Sequence, residues 1–212
     1  MKALLFDFDG VLVKSMEDHY ECWRRTLLEY GIEMVPEELY MLEGQGVHQV
    51  ASELIRKFRL PVTETPSIVQ KKQNYYNELK RIEFYPHLLD TLNWGKEKGL
   101  KMAVVTGGLR SRVSETLEEF GLLKYFNGVV TSDDVEATKP FPHPYLKGAE
   151  ILGVAPADCI VIENAPLGIR SGKAAGMMVI AITTTLSPQF LREADIIVYD
   201  FKDLLKALKK QY

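Results

Sequence analysis

The chain has little of what would mark a scaffold, an anchor or a nucleic-acid binder. Its only cysteines are Cys22 and Cys159, far apart in the sequence. Two such residues cannot build a disulfide framework, and reduced thiols in a cytoplasmic protein are the expected state. No apolar run approaches the ~18 residues of a membrane-spanning helix. Met1-Lys2-Ala3 leads directly into a strand-like run, so neither anchor nor signal peptide is expected. Neither sign of charge dominates: 26 Lys and Arg face 29 Asp and Glu, for a formal net charge of −3. Without a basic surplus, nucleic acid is not an expected partner. Internal repeats and low-complexity segments are absent as well.

What is present is 46% hydrophobic and 26% charged over 212 residues, the composition of a globular protein. That length suits one domain carrying an insert, or two small domains. Short runs at 3–6, 102–105, 129–131, 160–162, 179–182 and 196–198, all but the first rich in β-branched residues, are apolar at consecutive positions, as strands buried on both faces are. From residue 100 onward they alternate with helix-spaced segments, which predicts an α/β, doubly wound, parallel-sheet (Rossmann-like) core. Residues 14–81 break the pattern. They read as amphipathic helices over 16–30, 47–58 and 67–81, punctuated by Gly31, Pro36, Gly44-Gln45-Gly46, Pro61 and Pro66. The expected organisation is an α/β core of 1–13 and 82–212 with a small α-helical insert at 14–81, the chain crossing at 13–15 and 82–86. The tail at 202–212 reads as a short basic helix end with a solvated face.

Four strand ends carry polar chemistry. Asp7-Phe8-Asp9-Gly10 follows the first strand. Residues two apart on extended chain face one side, so both carboxylates address one site, and Gly10 lets the chain turn away. Like charges so close repel unless a cation or a shared proton intervenes. Thr106-Gly107-Gly108 follows another strand, offering a hydroxyl and open N–H groups that suit a phosphate. Lys139 precedes Pro140 in a proline-rich stretch and is held extended in a loop, where it could neutralise phosphate charge. Glu163-Asn164 follows a fourth strand and adds oxygen donors fit for a hard cation such as Mg²⁺. In an open parallel sheet all four groups lie on the carboxyl edge, where ligands bind.

This combination resembles the haloacid dehalogenase-like superfamily of phosphoryl-transfer enzymes over nearly the whole chain. The residues that carry the resemblance are Asp-x-Asp-Gly-Val-Leu at 7–12, Thr106, Lys139-Pro140, and Glu-Asn-Ala-Pro-Leu-Gly-Ile at 163–169 followed by Lys-Ala-Ala-Gly at 173–176. The helical insert is similar to the small cap of the subfamily containing β-phosphoglucomutase, phosphoglycolate phosphatase and sugar-phosphate phosphatases. The resemblance implies that Asp7 attacks phosphorus to form an aspartyl-phosphate, and that Asp9 protonates the leaving oxygen and then deprotonates the acceptor. It implies that Thr106 and Lys139, with the N–H groups of Gly107 and Gly108, bind the phosphoryl group. It also implies Mg²⁺ held by Asp7, the Asp9 carbonyl, Glu163 and Asn164. An acid at position 9 argues against dehalogenation, because a halide leaving group needs no proton. Many members carry Glu-Asp where this chain has Glu163-Asn164, so the metal site is one carboxylate short.

In the cap, His19, Trp23, Gly44 and Lys72 are the candidate substrate residues. His19, Trp23 and Lys72 resemble mutase positions, with cap packing and surface charge as the plainer alternative. The arginine that grips a second phosphate in the mutase would fall near Val47 and is missing; neighbouring His48 is a poor substitute, since neutral imidazole is a weak phosphate clamp. The expected function is therefore Mg²⁺-dependent hydrolysis of a small phosphorylated metabolite, a sugar phosphate or phosphoglycolate-like compound, by a cytoplasmic monomer or weak dimer. A sugar phosphomutase is the second reading, and a catalytically silent binding module of the same fold the third. Other apparent motifs do not hold. Gly44-x-Gly46 lacks a third glycine at 49, Gly168…Gly172-Lys173 misses the P-loop spacing, and His19 with Cys22 has no partner pair for zinc. His87 and His143 read as helix starts, and the tyrosines of the insert as core.

Overall fold

A computed structural model describes residues 1–79 and 83–212. Six strands, β1 (Ala3–Phe6), β2 (Lys101–Val105), β3 (Gly128–Val130), β4 (Cys159–Glu163), β5 (Met178–Ile182) and β6 (Ile196–Val198), form one sheet in the order β3-β2-β1-β4-β5-β6. Every adjacent pair is parallel. Apart from Lys101 at the start of β2 and Glu163 at the end of β4, the four inner strands are apolar because both faces are covered. Leu5, Val105, Val161 and Val179 belong to one core, shared with Tyr145 and Ala149, while Leu4, Phe6, Val104 and Ile162 belong to the other, shared with Leu92, Leu117 and Phe201. Each fully buried side chain of this size contributes roughly 1.5–3 kcal/mol. Helices α7 (His143–Leu152) and α8 (Pro166–Ala174) cover the first face; α5 (Leu88–Glu97), α6 (Arg110–Glu119) and α9 (Phe201–Gln211) cover the second. The α/β doubly wound core expected from the sequence is the observed one.

The chain order reverses between β1 and β4, which opens a crevice at their carboxyl ends. Between β1 and α5 lie α1 (Met16–Leu28), α2 (Pro36–Tyr40), α3 (Val47–Phe58) and α4 (Thr65–Leu79). Leu27, Leu54 and Ile68 are fully buried among them. The two connections run side by side, with Val13 bridged to Phe84 and the Lys14 N–H donating to Glu83 O at 2.9 Å. The last residues of the expected 67–81 helix and the start of the 82–86 crossing, Lys80, Arg81 and Ile82, lie outside the described residues.

Two features go beyond these expectations. Pro36–Tyr40 forms a short helix, unforeseen because five residues carry no readable period. The tail is more than a solvated end: α9 buries Phe201, Leu204 and Leu208 and leaves its lysines outside. Cys22 and Cys159 are free and buried.

Candidate active site

The site grows from the ends of β1, β2 and β4. β1 delivers Asp7 into the crevice, with its N–H fixed by Ile162 O at 3.0 Å. Phe8 turns into the core, and Gly10 adopts φ +79°, so the chain bends at once. Lys139 is brought in from the loop before α7 and is 1% exposed. Its ammonium donates to Asp7 Oδ1 (2.5 Å), Glu163 Oε1 (2.6 Å) and Val105 O (3.1 Å), which uses all three protons. Glu163 is saturated. Tyr145 OH donates to Oε1 at 2.7 Å, and the N–H groups of Asn164 and Ala165 donate to Oε2. Gly168, in the first turn of α8, makes room for this carboxylate, since a Cβ there would lie 1.7 Å from Oε1.

Two carboxylates share one ammonium, and that imbalance sets Asp7. Burial raises its pKa, Lys139 opposes, Glu163 adds to the rise, and the result is about 7. Burial works against the Lys139 charge, yet the two flanking carboxylates raise its pKa above the ordinary lysine value.

Asp9 has different company. Arg112 of α6 grips both its oxygens, Nη1 to Oδ1 at 2.9 Å and Nη2 to Oδ2 at 2.5 Å. The guanidinium also packs over the Phe8 ring. Ser15 Oγ donates to Oδ1. His19 Nε2 lies 3.3 Å from Oδ1, and Lys72 Nζ lies 3.1 Å from His19 Nδ1. Lys72 can only donate, so His19 Nδ1 accepts and Nε2 carries the ring proton toward Asp9. Burial would raise the Asp9 pKa, but Arg112 and His19 outweigh it and hold it well below the usual carboxylate range. Burial and then Lys72 push His19 down to about 4. Burial and then Arg112 push Lys72 down to about 8.

A cavity opens above these groups, lined by Asp7, Asp9, Thr106, Gly107 and Gly108 from the core and by His19, Trp23, Gly44, Gln45 and Lys72 from the helical insert. The Thr106 hydroxyl accepts from Gly108 N at 3.0 Å. Gly107 touches the other side: a Cβ there would lie 2.6 Å from Gly44 O. Gly44 itself has φ +96°, and a Cβ there would lie 2.8 Å from Cδ of the Lys139 stem. The structure thus gathers Asp7, Asp9, Thr106, Gly107, Gly108, Lys139, Glu163 and Asn164 with His19, Trp23, Gly44 and Lys72 around one crevice. His48 is exposed and does not line the cavity; the cations that face it are Lys72 and Arg112.

Residues 4–182 match the model of the haloacid dehalogenase-like hydrolases. The chain belongs to that family. It is 33% identical over 178 residues to the phosphoglycolate phosphatase of Aquifex aeolicus, spanning 83% of this chain and 82% of that one. It is 29% identical over 217 residues to hexitol phosphatase A of Escherichia coli, spanning 96% and 93%. Among solved structures, a Bacteroides vulgatus protein provisionally assigned as a β-phosphoglucomutase superposes with a TM-score of 0.86 at 35% identity, over 99% of this chain and 88% of that one.

Four residues of this cluster escape a reading of the sequence: Ser15, Glu43, Arg112 and Tyr145. Arg112 sits in a charged stretch, Arg-Ser-Arg, that reads as a helix surface. Tyr145 follows Pro144 with no motif around it. Glu43 precedes Gly44-Gln45-Gly46 directly, the one local signal that could have drawn notice. It is 8% exposed, and both its oxygens lie 3.0 Å from Asn164 Nδ2. Burial and then Asp7 push its pKa well above the usual carboxylate range.

Proposed function

We propose that the chain is a Mg²⁺-dependent phosphatase of small phosphomonoesters, a sugar phosphate or a phosphoglycolate-like compound, working through an aspartyl-phosphate at Asp7. The observation that carries this reading is the clamp on Asp7. One oxygen is fixed by Lys139, and the carboxylate borders the cavity with a second acid, Asp9, two residues on.

The chemistry is a pair of displacements. An Asp7 oxygen forms a bond to phosphorus as the ester P–O bond breaks, and the leaving oxygen takes a proton from Asp9. Water then attacks the acyl-phosphate while Asp9 takes back a proton, releasing phosphate and restoring Asp7. Splitting one hard step into two lowers each barrier. The negative charge of the transferring group would be met by the positive charge of Lys139 and by the Gly107 N–H. In its pairing with Arg112, Asp9 is an anion, so it must leave the guanidinium before it can donate a proton. Closure of the helical cap, 14–81, over the crevice would exclude water from both steps.

The residues present fit a divalent cation. Buried carboxylates outnumber the one ammonium beside them, and Asn164 Oδ1 is a buried acceptor with no partner. Among the described residues no three His, Cys, Asp or Glu side chains form a metal cage; the donor set would be a carboxylate completed by neutral oxygens and waters, which Mg²⁺ accepts. Asp7, the Asp9 carbonyl and Asn164 Oδ1 would hold it, and it would supply charge neutralisation at the phosphoryl oxygens. Glu163, with both oxygens satisfied, serves by holding Lys139 in place.

A second reading, a sugar phosphomutase, draws support from the Lys72–His19–Asp9 chain and from the 35% identity to the Bacteroides vulgatus protein. It differs only in the acceptor, a substrate hydroxyl instead of water. One assay separates the two. Phosphorylated metabolites, β-glucose 1-phosphate among them, are incubated with Mg²⁺, with and without chelator, using wild type and Asp7→Asn. Phosphate release lost with chelator and with D7N supports the phosphatase. Isomerisation with little phosphate released supports the mutase. Turnover that survives D7N overturns both. No helix is long and apolar enough to cross a membrane among the described residues. A small soluble metabolite as the sole partner, met by a monomer or weak dimer, completes the proposal.

A further inference from the structure

Glu43 is a buried carboxylate without a cation. Among the described residues no lysine or arginine pairs with it, because Lys139 is taken by Asp7 and Glu163, and Arg112 by Asp9. Among the described residues its side-chain donor is the Asn164 amide. An ionised carboxylate kept out of water is costly unless it is paired or ligates a metal. Asn164 meanwhile stands at the position where a carboxylate is missing, and its Oδ1 is buried with no partner. Gly10 closes the group: a Cβ on it would lie 2.1 Å from Asn164 Nδ2 and 3.2 Å from Glu43 Oε1, so the turn after Asp9 leaves space for these two side chains.

We propose that Glu43, reaching in from the segment between α2 and α3, is the carboxylate ligand that Asn164 does not provide, so that core and cap hold the divalent cation jointly. This rests on the Mg²⁺ reading given above. The acid would come from the 41–46 loop and the neutral oxygen from the end of β4, which the Glu43–Asn164 contact brings together. Mg²⁺ favours one or two carboxylates completed by neutral oxygens; Asp7, Glu43 and Asn164 Oδ1 meet that demand. A consequence follows for motion. In a site built wholly on the core, metal binding leaves the cap free. Here the cation tethers the 41–46 loop to β1 and β4, so metal binding and cap closure favour one another.

The test is calorimetric titration of Mn²⁺ alone into the full-length protein, for wild type, Glu43→Gln, Asn164→Asp and the double variant. Metal-free thermal unfolding of each checks the fold. The expected result is that E43Q weakens Mn²⁺ binding about tenfold or more without lowering the metal-free Tm, and that adding N164D restores it. Hydrogen exchange supplies the second readout: Mn²⁺ slows exchange at 41–46 in wild type and not in E43Q. Wild-type affinity in E43Q, or exchange at 41–46 unaffected by a bound metal, overturns the role of Glu43 and leaves the Mg²⁺ reading intact. Absence of Mn²⁺ binding by wild type itself removes both.

Discussion

Arg112 and Asp9 are 103 positions apart in the chain and form a two-pronged ion pair at the mouth of the crevice. The pair is nearly buried, with side chains 17% and 14% exposed. It joins α6 of the core to the acid that follows β1, and it keeps that acid ionised. Breaking a buried pair from one side strands the other charge, at a cost of about 3 kcal/mol. Arg112→Met is therefore expected to destabilise the fold by about that amount, and by much less when Asp9 is already Asn. Urea unfolding of the two single variants and the double variant measures the coupling. Equal costs of R112M in both backgrounds would show that the pair is not formed in solution.

Tyr145 bears on the other acid. Its hydroxyl and Glu163 are fully buried and meet at 2.7 Å. Tyr145→Phe removes one donor from a carboxylate that also steadies Lys139. A hydrogen bond to a charged group contributes roughly 1.5–3 kcal/mol, so a loss of about 2 kcal/mol is expected in denaturant unfolding. An unchanged midpoint would place the Glu163 charge outside this network.

Gly107 marks where the 106–108 turn meets the insert. An added methyl would lie 2.6 Å from Gly44 O and 2.8 Å from Gln45 O, both main-chain atoms that cannot rotate aside. Gly107→Ala is expected to push the 44–46 loop off the crevice. Misplacing groups by an ångström can cost about a hundredfold, and kcat/KM for phosphoester hydrolysis should fall on that scale. The fold should lose only the roughly 1–3 kcal/mol typical of overpacking. Wild-type kcat/KM in G107A would show that this contact is dispensable for turnover.

Lys72 gives the protein a pH dependence of its own. Burial, with Arg112 adding to it, sets its folded pKa near 8, against 10.5 for an ordinary lysine. Between those values the unfolded chain holds a proton that the folded chain has released. Stability contributed by this group therefore grows as pH rises from 8 to 10.5, and below pH 8 the buried ammonium costs on the order of 3 kcal/mol. Lys72→Met should be more stable than wild type at pH 7 and should lack the alkaline rise. Urea midpoints at pH 7 and pH 10 test this; parallel pH curves for the two proteins would contradict it.

The sheet and its acidic rim could be read from the residues because both are written locally. Six apolar runs and the polar groups that end them are contiguous in sequence, and a parallel sheet sends such ends to one edge. Lys139 was recoverable for the same reason: Pro140 fixes it in a loop. Arg112 and Glu43 were not, because no local signal marks either residue as facing Asp9 or Asn164. Nothing in the helical spacing of α6 states which neighbour its arginines will face. The Glu43–Asn164 contact depends on how the insert settles on the core, a matter of packing between two surfaces. Helix α2 is too short to show a period, and α9 hides an apolar stripe beneath its lysines.

The central claim is that Asp7 takes the phosphoryl group onto itself. The direct measurement is acid quench of the Mg²⁺-loaded protein during turnover of a phosphomonoester, followed by intact-mass analysis and peptide mapping. The predicted result is a gain of one phosphoryl group, located on Asp7, labile at alkaline pH and missing in D7N. Turnover with no covalent phosphoryl at any stage, or a phosphoryl group on another residue, would contradict it.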